Sequence, residues 1–255
     1  MSETARSAAA GASGAEKMSE WSRLMGVFFS PVTTFQDIAR KPTWAVPLVI
    51  LVLFALVSNA LVLPHMDWEE QVARQMEKAK ERGVKVDESK IETQVQIIKR
   101  IGTVSVYGGS IIGPPVVSLL VALIYFGVIR IFGGAITYLA SFAVVCFGNL
   151  PSALKLLFVG LAALNRESIS QMEVQAMVPS NVGFFLSKEQ VGAALYAASQ
   201  YIDLFAFWGL ALTIVGLSCA SNWSRGKCAA VVIGLYAVAV VIFTALTTLA
   251  TSMGG

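Results

Sequence analysis

Hydrophobic and polar positions are unevenly distributed along this chain of 255 residues. Long apolar stretches occur at about 44–63, 104–129, 137–159, 204–222 and 227–250, with Lys155 near the end of the third and Lys227 opening the last as their sole charges. A bilayer core of ~30 Å is crossed by about 20 residues in helix, and unsatisfied backbone groups in hydrocarbon are costly, so each stretch predicts a transmembrane helix. Ahead of the first, Trp21, Leu24, Met25, Phe28 and Phe29 recur at offsets of three, four, seven and eight, with Glu20 and Arg23 off that face. This spacing predicts a short amphipathic helix lying in the membrane interface; a helix packed on the rest of the protein is the alternative. Ser30-Pro31 ends it, Thr33 or Thr34 can cap a second, and Lys41-Pro42 ends that one, so that 18–42 forms an interfacial segment.

Between spans one and two, residues 65–102 are polar and helical in pattern. Gly83 divides them, Glu70 and Arg74 stand at i,i+4, and Asp87 is placed to cap the second half. Val72, Met76 and Ala79 can face Ile91, Val95 and Ile98, which predicts a helical hairpin standing on the membrane. Gly108, Gly109, Gly113, Pro114 and Pro115 predict a kink or break near the start of span two. Gly109 and Gly113 have a spacing that permits close helix packing. Asn149-Leu150-Pro151 interrupts span three. The tight connection from Ser221 to Lys227 makes spans four and five antiparallel neighbours.

Composition then fixes the class. Residues 1–102 hold twelve of the sixteen acids and thirteen of the nineteen bases, and the whole chain is 56% hydrophobic. The expectation is an all-α integral membrane protein with its membrane domain at 43–250, and no room for a separate soluble enzyme domain. The low-complexity residues 1–17 predict a disordered tail without the apolar core of a secretory signal. In the insert eight acids balance eight bases, which argues against nucleic acid as a partner. Cys146, Cys219 and Cys228 read as packing thiols, and His65 is the lone histidine, so neither a metal site nor a cofactor is expected. No G-x-S-x-G elbow or Walker loop occurs, and the expectation is a protein that is not an enzyme.

Bases next to span ends favour a cytoplasmic N-terminus, with Arg40, Lys41, Arg130, Arg225 and Lys227 inside against Lys99, Arg100 and Lys155 outside. Trp44 and Trp223 then lie at the inner interface, and Trp68 and Trp208 near the outer one.

Lys155 and Asp203 are the sharpest candidate pair, because ionisable groups at membrane depth are costly and tend to mark function. An ion pair locking spans three and four is one reading; a snorkelling Lys155 and a capping Asp203 is the other. The Asn149-Pro151 break could free carbonyls for an ion, as in transporters with unwound helices, or be re-satisfied by neighbours. Trp21, Phe28, Phe29 and Trp44 are the candidate interfacial anchors.

Ser30-Pro31-Val32-Thr33-Thr34-Phe35 through Lys41-Pro42-Thr43-Trp44, the Asn149-Leu150-Pro151 break, and Asp203-Leu204-Phe205-Ala206-Phe207-Trp208 with the later Ser-Arg-Gly-Lys turn resemble bacterial members of the Yip family, the Ypt/Rab-interacting membrane proteins. The resemblance covers about 25–250 and implies five membrane helices with a cytoplasmic N-terminus, in the bacterial inner membrane. Eukaryotic members act in vesicle trafficking and bind prenylated Rab GTPases, but this chain lacks their Asp-Leu-Tyr-Gly-Pro-type motif. Two function classes follow: a non-enzymatic protein that organises the lipid bilayer or membrane protein partners, with a homo-oligomer compatible; and a small transporter or channel using the broken third span.

Overall fold

The computed structural model describes residues 18–83, 91–170 and 173–252. The expected disordered tail and the cap at Asp87 lie outside the described residues. Helix α1 (Glu20–Phe29) starts at Ser19, whose side-chain oxygen accepts the Ser22 N–H at 3.1 Å. Helix α2 (Pro31–Arg40) opens on a proline, where the missing N–H does no harm. Its N-cap is Ser30; Thr34 lies inside the helix and donates to the Ser30 carbonyl at 2.9 Å. Next come α3 (Ala45–Val62), prolonged to His65 by a 3-10 turn, and α4 (Trp68–Glu81), where Asp67 Oδ1 accepts the Glu70 N–H at 2.8 Å.

Helix α5 (Ile91–Ile131) has 41 residues and contains both Pro114 and Pro115. The second arm of the hairpin and the second apolar stretch are thus one helix, and of the kink or break expected near Gly108 to Pro115 the break is absent. Each proline removes an N–H that would have bonded four residues back. Ser110 anchors this turn sideways: it donates to the Val106 carbonyl at 2.7 Å and accepts the Asn59 amide of α3 at 2.8 Å.

Helices α6 (Tyr138–Gly148) and α7 (Leu150–Ala163) follow each other with only Asn149 between them. A connection with short helices α8 (Lys188–Val191) and α9 (Ala193–Ser199) leads to α10 (Leu204–Ala220), and α11 (Arg225–Ser252) closes the chain. Among the described residues there is no strand, only isolated bridges at Met66–Ile169 and Asn181–Asp203.

Four segments are long and apolar enough to cross a membrane: Ala45–His65, Ile91–Ile131, Tyr138–Ala163 and Arg225–Leu249. The fifth apolar helix, α10, has 17 residues. At 1.5 Å per residue it spans ~25 Å against a core of ~30 Å, so by length and composition there are four candidate spans where the sequence predicts five.

The core centres on α6, whose residues from Ala140 to Gly148 are all buried. Close approaches are made by small residues. A Cβ on Gly209 would stand 2.9 Å from the Gly148 carbonyl, and one on Gly160 would stand 2.8 Å from Ser58 Cα. Around Gly109 and Gly113 there is open space, so the predicted packing pair is not where these helices meet. In the hairpin, Trp68, Val72 and Met76 are buried, and the Trp68 ring lies where a side chain at Gly102 would be.

Candidate functional site: two ionic clusters and a cavity between helices

The structure brings together Lys155 and Asp203. Asp203 is the N-cap of α10, just outside that helix, and is 3% exposed. Its Oδ1 accepts the N–H groups of Phe205 at 2.9 Å and Ala206 at 3.1 Å. Its Oδ2 accepts Lys155 Nζ at 2.8 Å and Ser180 Oγ at 2.6 Å. Burial pushes the carboxyl upward, but the bonds from Lys155, Ser180 and Ala206 outweigh it and hold Asp203 below the usual carboxylate range. Cap and ion pair, posed as alternatives in sequence, coexist on one side chain. With both oxygens engaged, this carboxylate is suited to holding α7, α10 and the connection between them.

Asn149 and Pro151 produce a mild interruption. Asn149 keeps helical dihedrals (φ −85°, ψ −3°), donates to the Val145 carbonyl at 3.0 Å and accepts the Ala153 N–H at 3.2 Å. Pro151 leaves the Phe147 carbonyl without its helical donor, and the Asn149 N–H reaches that carbonyl as well.

The four aromatic anchors do not share a face. Trp21 and Phe29 point outward, 71% and 77% exposed, with Met25 between them. Phe28 turns inward, edge-on to Trp208 with ring centroids 5.3 Å apart. Trp44 is partly exposed and packs on Phe142 at 5.3 Å. Helix α2 buries Thr34, Phe35 and Ile38, with Phe35 against Gly216 of α10. The α1–α2 pair is therefore packed against the bundle while one apolar stripe faces away from it.

The pattern of aromatic residues in α1 misses the second cluster. Arg23 is 2% exposed. It contacts Asp37 Oδ2 at 2.7 Å through NH2 and 2.8 Å through Nε, Glu20 Oε1 at 3.2 Å, and Thr43 Oγ1 at 2.6 Å. The Thr43 hydroxyl lies 3.0 Å from Glu20 Oε1. A signal for it existed, because Glu20, Arg23, Leu24 and Val27 themselves recur at helical spacing. The aromatic residues outweighed that quieter stripe.

Between α5, α6–α7, α10 and α11 lies a cavity of about 410 Å³, reached by Tyr125, Asn149, Ser152, Thr213 and Tyr236 among mainly apolar side chains. No group of three or more His, Cys, Asp or Glu able to hold a metal occurs among the described residues.

Residues 25–247 match the Yip1 domain. Membrane protein YknW of Bacillus subtilis (strain 168) is 26% identical over 197 residues, which cover 76% of this chain and 76% of that protein. No solved structure matches the chain.

Proposed function

Because the chain belongs to the Yip1 family of integral membrane proteins, we propose that it is a non-enzymatic protein that organises membrane protein partners in the bacterial cytoplasmic membrane. The observation that carries this reading is how the bundle uses its charges. Arg23, Glu20 and Asp37 tie the N-terminal helices together, and Lys155 with Asp203 ties α7 to α10. What remains for recognition is the outward stripe of α1 and the polar α4–α5 hairpin. The transporter alternative receives no support: the interruption in α6–α7 keeps its backbone bonded on both sides.

In this reading α10 is the fifth span. The residues just outside its two ends stand at opposite ends of the α6–α7 unit, Asp203 at Lys155 of α7 and the Asn222 side chain at the Ala135 N–H just ahead of α6, 2.9 Å away. Arg130, Arg225 and Lys227 flank that second end, which by the positive-inside tendency is cytoplasmic, as is the N-terminus.

Cross-linking in native membranes followed by purification, beside solute and ion flux measured in liposomes, tests the proposal. A specific membrane partner lost on Trp21→Ala/Phe29→Ala or on deletion of the hairpin, with silent liposomes, is expected. Flux that disappears on Asn149→Leu would overturn it.

A further inference from the structure

The cavity between α5, α6–α7, α10 and α11 combines two properties that the organising role leaves unused. It has no ionisable acid or base on its wall beyond tyrosine, and it collects polar side chains near the middle of the crossing helices. Tyr125, Asn149, Ser152 and Thr213 reach it from three elements, and none makes a side-chain hydrogen bond among the described residues. Tyr236 differs, because its hydroxyl donates to the Tyr201 carbonyl at 2.6 Å. Polar groups at membrane depth are costly unless they find partners, and here four converge on one space.

We infer that this cavity binds a neutral, hydrocarbon-soluble molecule through a carbonyl oxygen. The three hydroxyls and the amide can each donate as well as accept, so a carbonyl oxygen, which needs only a donor and carries no proton of its own to desolvate, can be bonded from any of the four. A charged head is disfavoured, since no opposite charge lines the cavity to offset its desolvation. The volume of about 410 Å³ falls within the ~300–1,000 Å³ of small-molecule sites. The floor is fixed by the close crossing of Gly209 on the Gly148 carbonyl, which draws α10 against α6–α7 beside Asn149. The wall is open where α5 and α11 touch only sparsely, on the side of the bundle that both leave largely uncovered. A ligand therefore enters sideways from the bilayer. Two sources present this chemistry, the ring of an isoprenoid quinone and the ester of a neutral glycerolipid.

Thermal unfolding of the full-length protein in detergent, titrated separately with a decyl benzoquinone, dioctanoylglycerol and dodecane, tests the site. One oxygen-bearing probe should raise the Tm saturably, and dodecane should not; which probe does so identifies the source. Asn149→Leu, removing one hydrogen bond, should weaken that probe about tenfold. Ala239→Phe, which fills the space from α11, should abolish the shift. Should that variant not fold, Val121→Trp closes the cavity from α5 and gives the same reading. A shift with dodecane as large as with the oxygenated probes, no shift with either of them, or parental binding in both the Asn149 and the cavity-filling variants would overturn the site.

Discussion

The two ionic clusters solve the same problem with opposite charges inside. In the N-terminal cluster the cation is enclosed: the Arg23 side chain is 2% exposed, whereas Glu20 and Asp37 are 38% and 18% exposed. In the other the anion is enclosed: the Asp203 side chain is 4% exposed and Lys155 24%. Guanidinium has five donors in a fixed fork, so one buried Arg can satisfy two carboxylates and a hydroxyl at once. A buried Asp is satisfied differently, by the free N–H groups at the start of a helix and by a single flexible lysine. Burying a charge in this protein therefore depends on how many partners the group can engage, and each cluster joins three segments.

The largest effect is expected from Arg23→Ala, which leaves the Glu20 and Asp37 carboxylates without the cation they share. A loss of about 3 kcal/mol is expected, read as a drop in detergent unfolding temperature together with protease sensitivity near 30–43. A parental melting curve would remove Arg23 from its role as the tie. Asp203→Ala comes next, at about 2 kcal/mol, because it deletes a cap and strands Lys155. Lys155→Met should cost less, about 1 kcal/mol, since the carboxylate it leaves behind keeps its three other bonds, from Ser180 and the N–H groups of Phe205 and Ala206. If Lys155→Met proved more damaging than Arg23→Ala, the comparison between enclosed cation and enclosed anion would fail.

Acid acts on the cluster that encloses the anion. The Asp203 carboxyl is held below its ordinary value, so its contribution is fully present above about pH 4 and is lost as pH falls through the folded value. In Lys155→Met one of the bonds that lowers it is gone, and the acid limb of Tm against pH should move to higher pH. An unmoved limb would show that Ser180 and the helix N–H groups suffice. Smallest of all is the exposed pair Glu70–Arg74 in α4, where Glu70→Gln should change stability by no more than about 0.5 kcal/mol.

Much of this architecture was legible beforehand. The α1–α2 pair, the helical pattern on either side of Gly83 and the interruption at Asn149 follow from breaks in pattern that local chemistry dictates, whereas the Lys155–Asp203 ion pair was one of two readings and the contact itself is tertiary. The continuity of α5 was not legible, because Pro114 and Pro115 argue locally for a break. In a bundle, Ser110 and Asn59 hold that turn from the side, and hydrocarbon penalises a frayed backbone more than it does a proline. Nor was it legible which glycines mattered. Gly109 and Gly113 have the expected spacing and meet nothing, whereas Gly148 and Gly209, far apart in sequence, cross each other.

Sequence alone determined the class and the family, since stretches without charge can be solvated only by lipid and their order along the chain carries the Yip1 resemblance. Only the tertiary structure decided which apolar helix is core and which is rim. The two most apolar long spans differ widely in burial, Ala45–His65 at 33% and Arg225–Leu249 at 6%, while the less apolar Tyr138–Ala163 is 61% buried. The physical reason is that lipid is as apolar as leucine, so hydropathy cannot sort one from the other. Burial goes instead to helices whose small residues let backbones approach, and to charges such as Arg23 whose partners arrive from distant segments.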